Sequence, residues 1–163
     1  TILSNQGKTL MQGAGVVKLK RPEMLRWQQT SPDETLLVSD GKKTYFYDEF
    51  AEQVSILNSQ QLIKSSPFVL LTTNSNELWQ QYSVVLNGDN YVITPIQSGQ
   101  SQVERLELRF EQNILKEMRV VDNTGQTSVY LFEQQKVNLS IADEVFNFAI
   151  PEGVLVDDQT QGE

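Results

Sequence analysis

The chain has 163 residues, enough for one domain with a real core. It carries 13 Lys+Arg against 21 Asp+Glu, a formal charge of −8, and has neither His nor Cys. Within this chain that excludes Ser-His-Asp and Cys-His triads, zinc on imidazole or thiolate, haem on His or Cys, iron–sulfur clusters and disulfides. Carboxylate chemistry, Ser-Lys or Ser-Tyr chemistry and oxygen-ligated metals are the enzyme routes left. Basic residues fall only in short groups, Lys18, Lys20 and Arg21, then Lys42 and Lys43, so nucleic acid is not an expected partner. No apolar run reaches the roughly 18–20 residues of a membrane span. The chain opens Thr1-Ile2-Leu3, with no initiating Met and no signal-peptide pattern, and reads as a processed or truncated product.

A period of two dominates, the strand period. Strands are expected at 14–20, 24–29, 35–39, 44–48 and 52–57, punctuated by Lys20-Arg21-Pro22, Ser31-Pro32-Asp33-Glu34 and Asp40-Gly41. From about 60 to 81 the pattern breaks. Ser66 before Pro67 reads as an N-cap with Pro at the first helical position, followed by Phe68, Leu70 and Leu71 on roughly one face. Asn76 can cap a second short turn carrying Leu78 and Trp79. This is a small helical insert laid over a sheet. Strands resume at 82–87, 91–96, 103–112, 114–122, 127–134 and 145–150. Asn87-Gly88 between apolar runs is a strong hairpin signal. Further turn signals fall at Ser98-Gly99, Asp122 to Gly125 and Pro151 to Gly153. Leu106, Leu108 and Phe110 alternate with Arg105, Glu107, Arg109 and Glu111, one apolar and one wet face. Ten or so such strands, with 18 scattered Gln on the wet faces, predict a large antiparallel meander or barrel in a single domain, residues 1–163.

Little of this carries catalysis. Asp33-Glu34, Asp48-Glu49, Asp143-Glu144 and Asp157-Asp158 are paired in sequence, yet neighbours on a strand point to opposite faces. A glycosidase needs carboxyls about 5–9 Å apart across a cleft. Asp122-Asn123-Thr124-Gly125 begins like a calcium loop but lacks the later acidic ligands, so it reads as a turn. The aromatics, Trp27, Tyr45, Phe46, Tyr47, Phe50, Phe68, Trp79 and Tyr82 among them, either fill a core or line an apolar cavity. Arg21, beside the strand-ending Pro22, is either a solvated charge or a latch onto backbone carbonyls, a task its five donors suit.

An ordered set of motifs then stands out: Lys20-Arg21-Pro22, Trp27, Pro32-Asp33-Glu34, Val38-Ser39-Asp40-Gly41-Lys42, Phe46-Tyr47, Glu52-Gln53, Pro67-Phe68, Trp79-Gln80-Gln81-Tyr82, Asn87-Gly88-Asp89, Thr94-Pro95, Pro151-x-Gly153-Val154 and Val156-Asp157-Asp158-Gln159. In this order, over about residues 12 to 159, the chain resembles the periplasmic outer-membrane lipoprotein carrier proteins, the LolA family.

The resemblance implies a mainly β fold, an unclosed antiparallel β-barrel with a lid of short α-helices, the insert at about 60–81, over an apolar cavity. It implies a monomeric periplasmic chaperone that binds the acyl chains of lipoproteins. Its cargo comes from an inner-membrane ABC-type lipoprotein-release complex and goes to an outer-membrane lipoprotein receptor. It implies no enzyme, cofactor or metal. Arg21 matches the family's lid-holding Arg, Leu71 and Thr72 fall where the lid partners lie, and Leu25 matches an apolar mouth position. Leu25, Trp27, Leu36, Val38, Tyr45, Tyr47, Phe68, Trp79, Leu106 and Leu108 are the cavity candidates. On strand 44–48 Phe46 competes with the tyrosines for the inward face. The family's N-terminal amphipathic helix and its first strand, rich in Phe and Gln, are not visible here. Three alternatives stand beside the carrier: an outer-membrane lipoprotein receptor of the same fold, which needs a lipidated N-terminal Cys, a carboxylate-dependent hydrolase on a β-scaffold, and a β-rich adaptor with a filled core and no cavity.

Overall fold

A computed structural model describes residues 1–58, 68–97 and 102–161. The chain forms two compact units, Thr1–Gln12 with Ser75–Leu139, and Gly13–Asn74 with Ser140–Glu163. The fold is mainly β, and each unit is built on one open sheet.

The first unit holds β1 (Ile2–Leu3), β2 (Thr9–Met11), β8 (Tyr82–Asn87), β9 (Asn90–Pro95), β10 (Val103–Glu111), β11 (Ile114–Asp122) and β12 (Thr127–Leu131). Their order in the sheet is β2-β1-β12-β11-β10-β9-β8, antiparallel throughout. The alternation on 105–111 sets its two faces. Leu106 stands opposite Ile93 and Val120, and Leu108 opposite Tyr91 and Met118. Directly opposed residues share a face, so these side chains make one apolar layer, with Leu106, Leu108, Ile93 and Met118 buried. The other face carries a charge ladder: Arg105 with Glu107, Arg109 with Glu111 and Glu117, and Arg119 with Glu117. β8 and β9 meet through Gly88-Asp89, where Gly88 has φ +61, as the Asn-Gly signal predicts. A short helix, Asn76–Trp79, precedes β8.

The second unit holds β3 (Ala14–Lys20), β4 (Met24–Ser31), β5 (Thr35–Asp40), β6 (Lys43–Asp48), β7 (Gln53–Asn58) and β13 (Leu155–Asp158), in the order β13-β7-β6-β5-β4-β3. Consecutive strands pair antiparallel; β13 returns to pair parallel with β7, so the sheet is mixed. Gly15 sits at a register shift between β3 and β4, where a β-carbon would meet the Gln28 carbonyl oxygen at 2.3 Å. One face of this sheet carries the helix Phe68–Thr72, the other the 3-10 turn Asp143–Phe146 and the chain after it.

Several sequence expectations need correction. The 145–150 alternation of Phe146 and Phe148 is not a strand. The chain there lies across the sheet face, with Phe146 buried and Phe148 against Tyr45 and Tyr47. Alternation arises because the segment faces a sheet, without ladder bonds to one. The strand expected at 127–134 stops at Leu131, beyond which the Gln135 side chain donates to the Leu115 carbonyl. Three short strands, β1, β2 and β13, carry too few residues for a period to show. Ser75, not Asn76, caps the helix at Asn76–Trp79, its hydroxyl accepting from the Leu78 N–H at 3.2 Å. The Ser66-Pro67 helix start and the Ser98-Gly99 turn lie outside the described residues.

Candidate functional site

The site grows from the end of the β3–β4 hairpin. Lys20 pairs with Met24, which leaves Arg21-Pro22-Glu23 as the connection. Pro22 offers no N–H to extend the ladder. The loop meets the C-terminal end of the helix Phe68–Thr72. Five residues are far too few for a helix to stand alone in water. This one is held by burial of Phe68, Val69, Leu70 and Thr72, and by the ring of Phe68 stacked on Trp27, centroids 5.7 Å apart.

The free carbonyls at the helix end are where the loop takes hold. Arg21 Nη2 donates to the Leu71 carbonyl at 3.4 Å from an exposed position. The Thr72 carbonyl accepts instead from the backbone N–H of Glu23, at 3.2 Å. Thr72 turns its own hydroxyl back to Val69, 3.1 Å. The structure therefore brings Arg21, Leu71 and Thr72 together, but through two different loop residues. Glu23 was not visible as a site residue in the sequence. It has φ +58, its carboxylate accepts from the Thr73 hydroxyl at 2.9 Å, and its carbonyl accepts from the Ser39 hydroxyl at 3.2 Å. Only its place two residues after Arg21 hinted at it.

Strand register sorts the cavity candidates onto two surfaces. Leu19, Leu25 and Ser39 are opposed in turn, as are Val17, Trp27, Leu37 and Phe46. This face lies under the helix, since Trp27 stacks on Phe68. Leu36 opposes Tyr47, Val38 opposes Tyr45, and Val54 and Ile56 continue those rows. That is the opposite face, covered by Phe148 at 5.5 Å from Tyr45 and 5.9 Å from Tyr47. Leu25, Trp27 and Phe68 are thus gathered on one surface, and Leu36, Val38, Tyr45 and Tyr47 on another. On 43–48 Phe46 shares the surface of Trp27. Trp79, Leu106 and Leu108 belong to the first unit, where Trp79 packs edge-on to Tyr82.

The helix-covered face is not wholly apolar. Ser39 and Thr44 are opposed on it and fully buried. Ser39 is satisfied by Glu23 and by the Gly41 N–H, 3.3 Å. Thr44 Oγ1 has no hydrogen-bond partner among the described residues.

The acidic pairs serve local structure. Asp143 binds Lys20, which also donates to the Ile141 carbonyl at 2.6 Å. Asp48 accepts from the Ala51 N–H, and Asp157 and Asp158 accept from Gln159 and Thr160. Asp122 accepts from the N–H groups of Thr124 and Gln126 and from the Thr124 hydroxyl; that hydroxyl chiefly holds its carboxyl below the usual range. The predicted turn is therefore a turn. Glu49 is the exception, its pKa raised by the hydrogen bond and then the charge of Glu34, at an exposed loop end. Nothing in these arrangements favours the hydrolase alternative. Among the described residues no His, Cys, Asp or Glu group of three gathers to hold a metal, and no helix is long and apolar enough to cross a membrane.

Comparison with known proteins matches residues 1–149 to the family described as outer membrane lipoprotein carrier protein LolA. An outer-membrane lipoprotein carrier protein of Pseudoalteromonas translucida is 46% identical over 165 residues, covering 99% of this chain and 79% of the relative. The Vibrio campbellii protein of that name is 40% identical, covering 97% and 76%. The Pasteurella multocida one is 35% identical, covering 99% and 78%.

Proposed function

Because the chain belongs to the outer-membrane lipoprotein carrier family, we propose that it shelters the acyl chains of lipoproteins during their passage to the outer membrane. It works in the periplasm as a monomer, without enzymatic chemistry. It takes cargo from an inner-membrane ABC-type release complex and surrenders it to an outer-membrane receptor.

The observation that supports this reading is a five-residue helix resting on a largely apolar sheet face and tied down by a few polar bonds at one end. Burying a methylene is worth about 0.8 kcal/mol, so a sixteen-carbon chain calls for shelter worth roughly 12 kcal/mol. Leu25, Trp27 and Phe68 supply part of that lining, with Leu37 and Phe46 beside them. A carrier must also let go. Cargo shifts a lid only by its differential affinity for the open and closed states, so weak ties are an asset. Arg21, with Leu71 and Thr72, is the latch in this scheme.

The test starts from inner-membrane vesicles that hold the release complex and a labelled triacylated lipoprotein. Adding this protein should bring the lipoprotein into solution as a one-to-one complex, then deliver it to receptor-bearing outer membranes. Release that does not rise above background, or equal binding of the unacylated polypeptide, would refute carriage.

A further inference from the structure

Resting on that reading of the helix as a lid, we infer that Glu23 is its principal pin, and that Arg21 only supplements it. Arg21 offers one long bond from an exposed side chain, 3.4 Å to Leu71. Glu23 makes three contacts with buried groups. Its N–H donates to the Thr72 carbonyl at 3.2 Å, its carboxylate accepts from the Thr73 hydroxyl at 2.9 Å, and its carbonyl accepts from the Ser39 hydroxyl at 3.2 Å. Thr72, Thr73 and Ser39 are all buried. One residue thereby ties the helix end to the sheet floor.

The backbone of Glu23 points the same way. At φ +58 it occupies the left-handed region that a β-carbon disfavours. A loop residue chosen only for its turn would be Gly or Asn there. A glutamate in that place keeps an unfavourable conformation and holds the helix with its carboxylate. Glu23 is a positioning residue: it sets the resting position of the helix that covers Leu25 and Trp27.

Two explanations of Glu23 then predict opposite results for Glu23→Gly. If the residue is only a turn, glycine suits φ +58 better and the helix end becomes quieter. If it is a pin, the helix end loosens despite the easier backbone. The measurement is amide hydrogen exchange in the empty protein at Thr73, whose N–H bonds to Val69 at 2.9 Å, and at residue 23 itself, bonded to Thr72. The loss of one charge-assisted bond is expected to speed exchange roughly tenfold. Thr73→Val, which removes the donor and leaves Glu23 intact, should give a similar factor. The double variant should add little, because both changes delete one bond. Glu23→Gln keeps an acceptor oxygen and should restore most of the protection. Slower or unchanged exchange in Glu23→Gly, fully multiplicative effects in the double variant, or no rescue by Gln would each overturn the pin. Exchange is read without cargo, so a failure of lipoprotein carriage with these ratios intact would overturn only the carrier reading.

Discussion

Arg21→Leu tests how much of the closed state rests on the exposed latch. Leucine keeps an apolar stem and removes the donor. A hydrogen bond involving a charged group contributes about 1.5–3 kcal/mol when short and sheltered. The Arg21–Leu71 contact is neither, at 3.4 Å and in solvent. Exposed charged contacts typically contribute about 0.2–1 kcal/mol. The expected shift of the closed-to-open ratio is therefore about 1.4- to fivefold, far short of release of the lid. The neighbouring contacts of Glu23 with Thr72 and Thr73 persist in this variant. The assay is hydrogen exchange across residues 68–74, with delivery of bound lipoprotein to outer membranes measured in parallel. A looser lid holds cargo more readily and yields it less, so uptake should persist while delivery slows by a similar factor. Wild-type exchange and delivery would show that Arg21 is a solvated charge. Complete loss of protection would show that the geometry underrates it.

Three further outcomes follow from the same contacts. Thr44→Val replaces a fully buried hydroxyl that lacks a partner among the described residues with an isosteric methyl, and should raise stability by about 1 kcal/mol in urea denaturation; a loss of stability would mean that the hydroxyl is satisfied. Phe68→Ala removes the ring stacked on Trp27 and should free the helix locally, seen as a red shift of Trp27 emission in a Trp79→Phe background with the sheet still folded; an unshifted spectrum would contradict the stacked cover. Glu49 has its pKa raised in the fold by Glu34, so it favours the folded state below its ordinary value and loses that contribution as pH rises through the folded one. Glu49→Gln removes that repulsion and should gain stability over the wild type as pH rises through the raised folded value, with the difference vanishing below the ordinary glutamate range, in urea melts across both; a difference independent of pH would exclude the Glu34–Glu49 pair as its source.

Much of the fold was legible because its physics is local. The alternation on 105–111 survives in β10, where Leu106 and Leu108 are buried and Arg105, Glu107, Arg109 and Glu111 carry the opposite, charged face. Asp40-Gly41, Asn87-Gly88 and Asp122 to Gly125 form turns because each supplies its own positive φ or side-chain cap. Composition by itself removed the His- and Cys-based chemistries, and the order of motifs from Lys20 to Gln159 carried the family.

Tertiary structure decided what period two cannot express. Both faces of the second unit's sheet are covered, one by Phe68–Thr72 and the other by Phe146 and Phe148, so apolar residues occur at both parities of one strand. Alternation then says that Trp27 and Leu36 are each inside something, not inside the same thing. Cross-strand register settles it, joining Trp27 to Leu37 and Phe46, and Leu36 to Tyr47. Glu23 was hidden for a related reason. Its importance lies in meeting Thr72 and Thr73, fifty residues along the chain, and no local spacing records such a contact.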